Sequence, residues 1–128
     1  MCLEVVNLIY EYSPSRLAQK YENESWLKKK YGVAISNGMI EFLGALIAAE
    51  NAYDIKCTPQ FFLEHKKGNL KDYYSVSLDK KKSKWRLLIQ MIDDTTNKVV
   101  CPSNDEKTFL LSIKKIRIKE LSDHYGEY

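Results

Sequence analysis

The stretch Glu64–Met91, EHKKGNLKDYYSVSLDKKKSKWRLLIQM, decides the fold class of this chain. Tyr74, Val76 and Leu78 alternate with Tyr73, Ser75, Ser77 and Asp79, the period of two that belongs to a half-buried strand. Trp85, Leu87, Ile89 and Met91 alternate in the same way with Arg86, Leu88, Gln90 and Ile92. The polar run KKKSK at 80–84 reads as the turn joining them into a hairpin. The same stretch carries the charge. Residues 56–90 hold nine Lys/Arg against three Asp/Glu, whereas 1–55 hold five against seven and 91–128 six against seven. The net charge of +3 is therefore one positive patch on a near-neutral body. Basic residues interleaved with aromatics are the footprint of a phosphate-backbone partner. The competing reading is a solvated hairpin whose lysines protect an edge from aggregation.

Working outward, Leu3–Tyr12 is rich in β-branched and aromatic residues and reads as a first strand. Ser13-Pro14 reads as a helix start, with Ser13 as N-cap and Pro14 at the first helical position. Leu17, Tyr21, Leu27 and Tyr31 keep roughly to one face until Gly32, and Asn23-Glu24-Ser25 loosens the middle. Ile35, Met39, Phe42, Leu46, Ala49 and Tyr53 form a sustained core-facing stripe, which predicts a second helix. A short connecting helix and a strand-like loop around Pro59 lead into the basic region. Beyond it, Pro102–Asp105 is a polar loop, and Glu106–Leu111 suits a short helical turn. Ile116 and Ile118 alternate with Lys115, Arg117 and Lys119, predicting a last strand with one basic face. The order β, α, α, β, β, β predicts an α+β domain. It would have an antiparallel or mixed sheet of about four strands, two N-terminal helices packed on one face, and the other face free for a partner.

At 128 residues the chain is read as a single domain, and its 45% hydrophobic and 29% charged content is that of a folded protein. Cys2, Cys57 and Cys101 are odd in number and widely spaced, which argues for a reducing compartment and against a disulfide framework or a thiolate zinc site. The run Met39–Ala49 is too short to span a bilayer, and the start MCLEVVN does not suggest a signal peptide. A soluble, cytoplasmic protein is expected. Neither GxxxxGK[ST] nor GxGxxG occurs, no metal-ligand spacing is visible, and no nucleophile elbow supports a serine hydrolase. Asp93-Asp94 is read as a solvated turn. No cofactor and no metal are expected.

The sequence of motifs is more telling than any one of them. A first strand is followed by helices carrying KKYG at 29–32, then HKKGNLKDYYSVSL at 65–78, KWRLLIQ at 84–90 and a final strand closing in SDHY at 122–125. From about Tyr10 to Tyr125 this resembles the RelE/HigB toxins of type II toxin–antitoxin modules. The most specific parts are the Lys66-Lys67-Gly68 turn, its spacing to Tyr74, and the strand around Arg86. The resemblance implies a compact, microbial-RNase-like sheet and an endoribonuclease that cuts mRNA in the ribosome. It also implies a cognate antitoxin protein that silences the toxin in a hetero-oligomer. The chain departs from the HigB pattern at its end, where Asp123-His124-Tyr125 stands for an Asp-Tyr-His order, and in a longer 80–84 turn and 93–112 connection.

Metal-independent RNA cleavage needs a group to take the 2′-hydroxyl proton, a group to protonate the leaving 5′-oxygen, and a cation for the transition-state charge. Arg86 is the candidate cation, since its planar fork binds two phosphate oxygens; the alternative is a structural arginine. His124 is the candidate proton carrier, against a plain surface histidine, and Tyr125 a stacking or proton-transfer partner, against a hydrophobic lid. His65, in the loop before Lys67, is placed to reach the same sheet face and form a base/acid pair with His124. Lys67, beside Gly68, is a second phosphate contact. Lys66, Lys71, Lys82 and Lys84 would position the RNA backbone, and Tyr73 is the accessible tyrosine; Tyr74 and Trp85 are read as packing residues. Two other readings stay open: a ParE-like toxin acting on DNA gyrase, and a non-catalytic RNA- or ribosome-binding module.

Overall fold

The computed structural model describes residues 7–103 and 105–123. Among the described residues ten helices and strands follow one another: β1 (Ile9–Tyr12), α1 (Leu17–Tyr21), α2 (Glu24–Tyr31), α3 (Val33–Ala48), α4 (Ala52–Lys56), β2 (Glu64–His65), β3 (Tyr74–Val76), β4 (Arg86–Ile92), α5 (Glu106–Ser112) and β5 (Lys115–Ser122). Single 3₁₀ turns lie at Pro59–Phe61 and Gly68–Leu70. The fold is α+β, as expected, with one open mixed sheet of five strands in the order β1-β5-β4-β3-β2. β1 runs parallel to β5 and every other pair is antiparallel.

The stripe expected for the second helix is the centre of the core. Ile35, Met39, Phe42 and Leu46 of α3 are buried against Tyr74 and Val76 of β3, Leu87, Ile89 and Met91 of β4, and Ile116, Ile118 and Leu121 of β5. Burying each such aliphatic side chain contributes about 1.5–3 kcal/mol, so helix and sheet are held mainly by this seam. Phe42 meets Phe61 edge to face at 5.3 Å, and Leu110 brings α5 into the same core.

Several local expectations are corrected. Of the first strand only Ile9–Tyr12 is seen, and Leu3–Val6 lie outside the described residues. Ser13 does not cap a helix: its N–H donates to the Ile118 carbonyl at 2.9 Å, prolonging the β1–β5 pairing. The helix starts at Leu17, with Arg16 at the cap and no side-chain cap bond. The predicted single helix up to Gly32 is two, because Asn23 leaves helical geometry and its side-chain oxygen accepts the Trp26 N–H at 3.0 Å, which starts α2. The second stripe also breaks. Ala49 is extended, and Asn51 accepts the Asp54 N–H to start α4, so Tyr53 belongs to a separate short helix. The loop around residue 64 supplies a fifth strand, β2. The turn expected at 106–111 is α5, capped by the Asp105 carboxylate on Lys107 N–H and the Thr108 hydroxyl.

The larger correction concerns the sheet's second face. Arg86, Leu88, Gln90 and Ile92 alternate away from the α3 core, yet all are buried, as are Ser75 and Ser77. The 93–112 connection contributes to this. Asp93 N–H bonds to the Lys98 carbonyl, Val100 N–H to the Met91 carbonyl, and Ile92 bridges Val99, so the chain doubles back along the end of β4. Asn97 at that turn accepts Lys115 Nζ through its side chain at 2.8 Å. The face is therefore a partly covered, basic-rimmed surface, not a free one.

The rim has its own charge balance. Glu11 of β1 lies 2.7 Å from Lys115 Nζ and 2.9 Å from Arg117 Nε. These two cations hold its carboxyl below the ordinary glutamate value of 4.5, with the Lys115 bond the largest cause. A depressed folded-state pKa stabilises above the unfolded value and the contribution disappears as pH falls through the folded value. Glu11→Gln is expected to be less stable than the parent at neutral pH, with the difference closing once the pH drops well below 4.5. Urea denaturation at neutral and acid pH measures this, and a gap that persists in acid would contradict it.

Candidate functional site

Arg86 opens β4, the middle strand of the sheet, opposite Ser122 of β5. Its Nη1 donates to the Ser83 carbonyl at 2.7 Å and to the Trp85 carbonyl at 2.8 Å. These bonds fix the guanidinium plane and close the end of the 77–85 connection. At 9% exposure the side chain lies within the second face of the sheet, not above it. Just beyond it, an irregularity between Leu87 and Ile89 shifts the β4–β5 register. Such a bulge re-aims side chains near a strand end.

The basic residues singled out from the sequence divide into separate groups. Lys66 and Tyr73 continue, in register, the face of Ser75 and Leu88, since Glu64 pairs with Ser75 and Lys66 N–H bonds to the Tyr73 carbonyl. Lys66 is mostly covered, its ammonium 3.6 Å from Glu64, and Tyr73 is half-buried. Lys67 and Lys71 are exposed on the turn that follows, where Gly68 takes a φ of 63°, a conformation open to glycine at little cost. Lys80 and Lys82 instead line a cleft with Ala34, Asn37, Gly38 and Glu41 of α3, on the helical side. There the Ser77 hydroxyl accepts the Lys81 N–H at 2.7 Å, and Lys81 Nζ stands 4.7 Å from the Phe62 ring. Lys84 is exposed beside Trp85. The run that looked like one cluster is thus split by the fold of its own loop.

His65 is corrected outright. It pairs with Tyr74 and stacks on that ring at 4.9 Å, on the core side of the sheet and opposite to Arg86. Its Nε2 lies 2.7 Å from the Lys71 carbonyl, which can only accept, so Nε2 carries the proton. The imidazole braces the 66–72 turn and does not share a face with Arg86. His124 and Tyr125 lie outside the described residues. Tyr74 is buried and Trp85 half-buried, in keeping with their assignment as packing residues.

Two features have no clear signature in the sequence. One is the commitment of Lys115 and Arg117 to Glu11, which leaves Lys119 as the rim cation without a carboxylate among the ion pairs of the described residues. The other is a run of rings, Tyr10, Tyr12, Tyr21, Trp26, Tyr31 and Trp85, in which each meets the next at 4.7–6.3 Å between centroids. Its only trace in the sequence is an excess of tyrosine, nine of 128 residues, spread too widely for a local pattern. Tyr21 fastens this run to the sheet, its hydroxyl accepting the Leu121 N–H at 2.9 Å. Burial, the main cause, pushes its phenol up to about 12.

Among the described residues, no three His, Cys, Asp or Glu side chains gather as metal ligands, and no helix is long and apolar enough to cross a membrane. Cys57 and Cys101 are free and exposed. Compared with protein-family models, curated proteins and solved structures, the chain matches none.

Proposed function

We propose that this chain is the toxin of a type II toxin–antitoxin module, an endoribonuclease that cuts mRNA on the ribosome by 2′-hydroxyl attack and needs no metal or cofactor. A cognate antitoxin would hold it silent in a hetero-oligomer in the cytoplasm. The observation that carries this reading is the placement of Arg86. A guanidinium oriented by two backbone carbonyls sits on the middle strand of a basic-rimmed sheet, next to the strand that ends at Ser122. A preoriented cation of that kind stabilises developing phosphorane charge without reorganising. Lys66 lies on the same sheet face, two strands away at the β2 edge, and Lys67 and Lys71 are exposed on the turn that follows it. His124 is the proton carrier of the proposal and Tyr125 its neighbour; in the sequence they come two and three residues after Ser122, the β5 partner of Arg86.

Induced expression of the chain, with mapping of new 5′ ends in cellular mRNA, tests the proposal. Growth arrest with new ends inside translated codons is the expected result. Arrest without such ends, accompanied by a DNA-damage response, would point instead to a gyrase-directed toxin. RNA retention without arrest or cleavage would leave a binding module.

A further inference from the structure

The run of rings borders a cleft of about 360 Å³ between α1, α2 and the end of β5, lined in part by Arg16, Lys20, Trp26, Lys30, Tyr31 and Lys119. Four of those residues are cationic, and among the described residues that line the cleft Glu120 is the single carboxylate. Lys20 and Lys30 form no ion pair among the described residues; their ammonium groups instead rest 5.6 and 5.3 Å from the centre of the same indole, Trp26. Trp26 in turn meets Tyr31 at 5.8 Å, and Tyr31 meets Trp85, the neighbour of Arg86, at 4.7 Å. The volume is within the range of small-ligand sites.

We infer that this cleft is a nucleotide-binding subsite for single-stranded RNA, with a base stacked on Trp26 and the flanking phosphates taken by Lys20, Lys30 and Arg16. The choice of RNA rests on the function proposed above; the choice of a nucleic-acid strand rests on the cleft itself. An apolar peptide would have to desolvate four cations there. An acidic peptide would satisfy the charges and leave the indole unused. A nucleotide uses both. Trp26 is half-buried, with two ammonium groups over its ring; an ammonium so placed is held weakly, and a base stacked on the same ring is held more strongly. Exchange therefore seats the base and frees each lysine for a phosphate. The strand would then run past Tyr31 and Trp85 toward Arg86, placing the cleft upstream or downstream of the scissile bond as a binding element, not as a catalytic one.

The chain has two tryptophans, so Trp85→Phe leaves Trp26 as the only indole and makes its fluorescence a direct report. The probe is a short single-stranded 2′-O-methyl RNA, which cannot undergo 2′-hydroxyl attack, so binding is read independently of cleavage. Saturable quenching of Trp26 is expected. Lys20→Ala with Lys30→Ala, both at exposed positions that spare the fold, should flatten the slope of log affinity against log salt by about 1.4, near 0.7 for each phosphate that a lysine no longer neutralises on a single strand. Inorganic polyphosphate should compete without quenching. Trp26→Ala, read by the anisotropy of an end-labelled probe because the reporting indole is gone, should weaken binding by about tenfold or more; Trp26→Phe, which keeps a ring and is read the same way, covers the case in which the alanine variant does not fold. Binding without quenching, or with a salt slope unchanged in the double lysine variant, would overturn the inference. Either result would leave the cleavage proposal standing, since mapping of mRNA ends tests that separately. Equal binding of polyphosphate and RNA would likewise overturn it, reducing the cleft to an electrostatic patch.

Discussion

Arg86→Ala is expected to reduce mRNA cleavage by roughly 10²–10³-fold, the usual loss when one preorganised transition-state donor is removed. The growth arrest should disappear with it. The structure requires a second measurement alongside. Arg86 Nη1 serves the carbonyls of Ser83 and Trp85, so the alanine variant leaves two acceptors near a buried position without that donor. An unsatisfied buried acceptor costs about 1–3 kcal/mol, enough to lower the yield of folded protein by itself. Thermal melting of both proteins separates the effects. Loss of cleavage in a variant that still melts cooperatively assigns Arg86 to the chemistry, and cleavage that survives in that variant removes it. Arg86→Lys sharpens the result, because lysine keeps the charge but cannot keep the planar fork that meets two oxygens at once. Its activity should stay well below the parent's.

Gly38→Ala should be strongly destabilising for the addition of a single methyl group. A Cβ built at Gly38 would stand 1.7 Å from the Leu78 carbonyl oxygen, 2.5 Å from its carbonyl carbon and 2.8 Å from its Cβ. The first two are backbone atoms, so no rotamer change relieves the collision. Either α3 or the segment after β3 must move. Alanine is the better helix former by about 1 kcal/mol, but overpacking of a tight interior typically costs about 1–3 kcal/mol, and a collision with backbone belongs at or above the top of that range. A net loss on the order of 2–3 kcal/mol is expected in urea denaturation. Gly44→Ala is the matched control. It lies on the same helix with nothing within 4 Å of the added Cβ, so only the helical gain remains and the variant should be more stable than the parent by up to about 1 kcal/mol. Opposite signs at two glycines of one helix would place the effect at Leu78. Similar signs would contradict the close approach. That approach also has a functional side: Leu78 leads into the 77–85 connection, whose far end holds Arg86, so a shifted Leu78 should also lower cleavage.

What was legible in the sequence depended on how local its cause was. The stripe Ile35, Met39, Phe42 and Leu46, the alternation through Tyr74–Val76 and Trp85–Ile92, the turn that became α5, and the strand through Ile116 and Ile118 are each written within a few residues, because side-chain periodicity follows directly from backbone geometry. Those signals establish an α+β chain with α3 on the β3–β4–β5 sheet. Where a stripe would have run on, short polar caps ended it. Asn23 and Asn51 offer side-chain oxygens that compete with the helix for the backbone, a choice between two nearly equal local structures that only the surrounding packing resolves.

Nothing in the residues of β1 says that it will lie parallel to β5, about a hundred positions away, or that Ser13 will spend its N–H on that ladder and not on a helix. The same holds for the candidate site. Arg86 and the lysines were visible as residue types, and so was their concentration in one stretch. Their division was not. Two-residue pairing of β2 with β3 turned His65 to the core side, the Asp79–Lys82 turn carried Lys80 and Lys82 toward α3, and Glu11 reached across from β1 to neutralise Lys115 and Arg117. Each of these depends on register or on an approach between distant strands. A one-residue difference in pairing sends a side chain to the opposite face, so composition and spacing could mark the basic stretch, and only the tertiary structure could decide which of its charges share a surface.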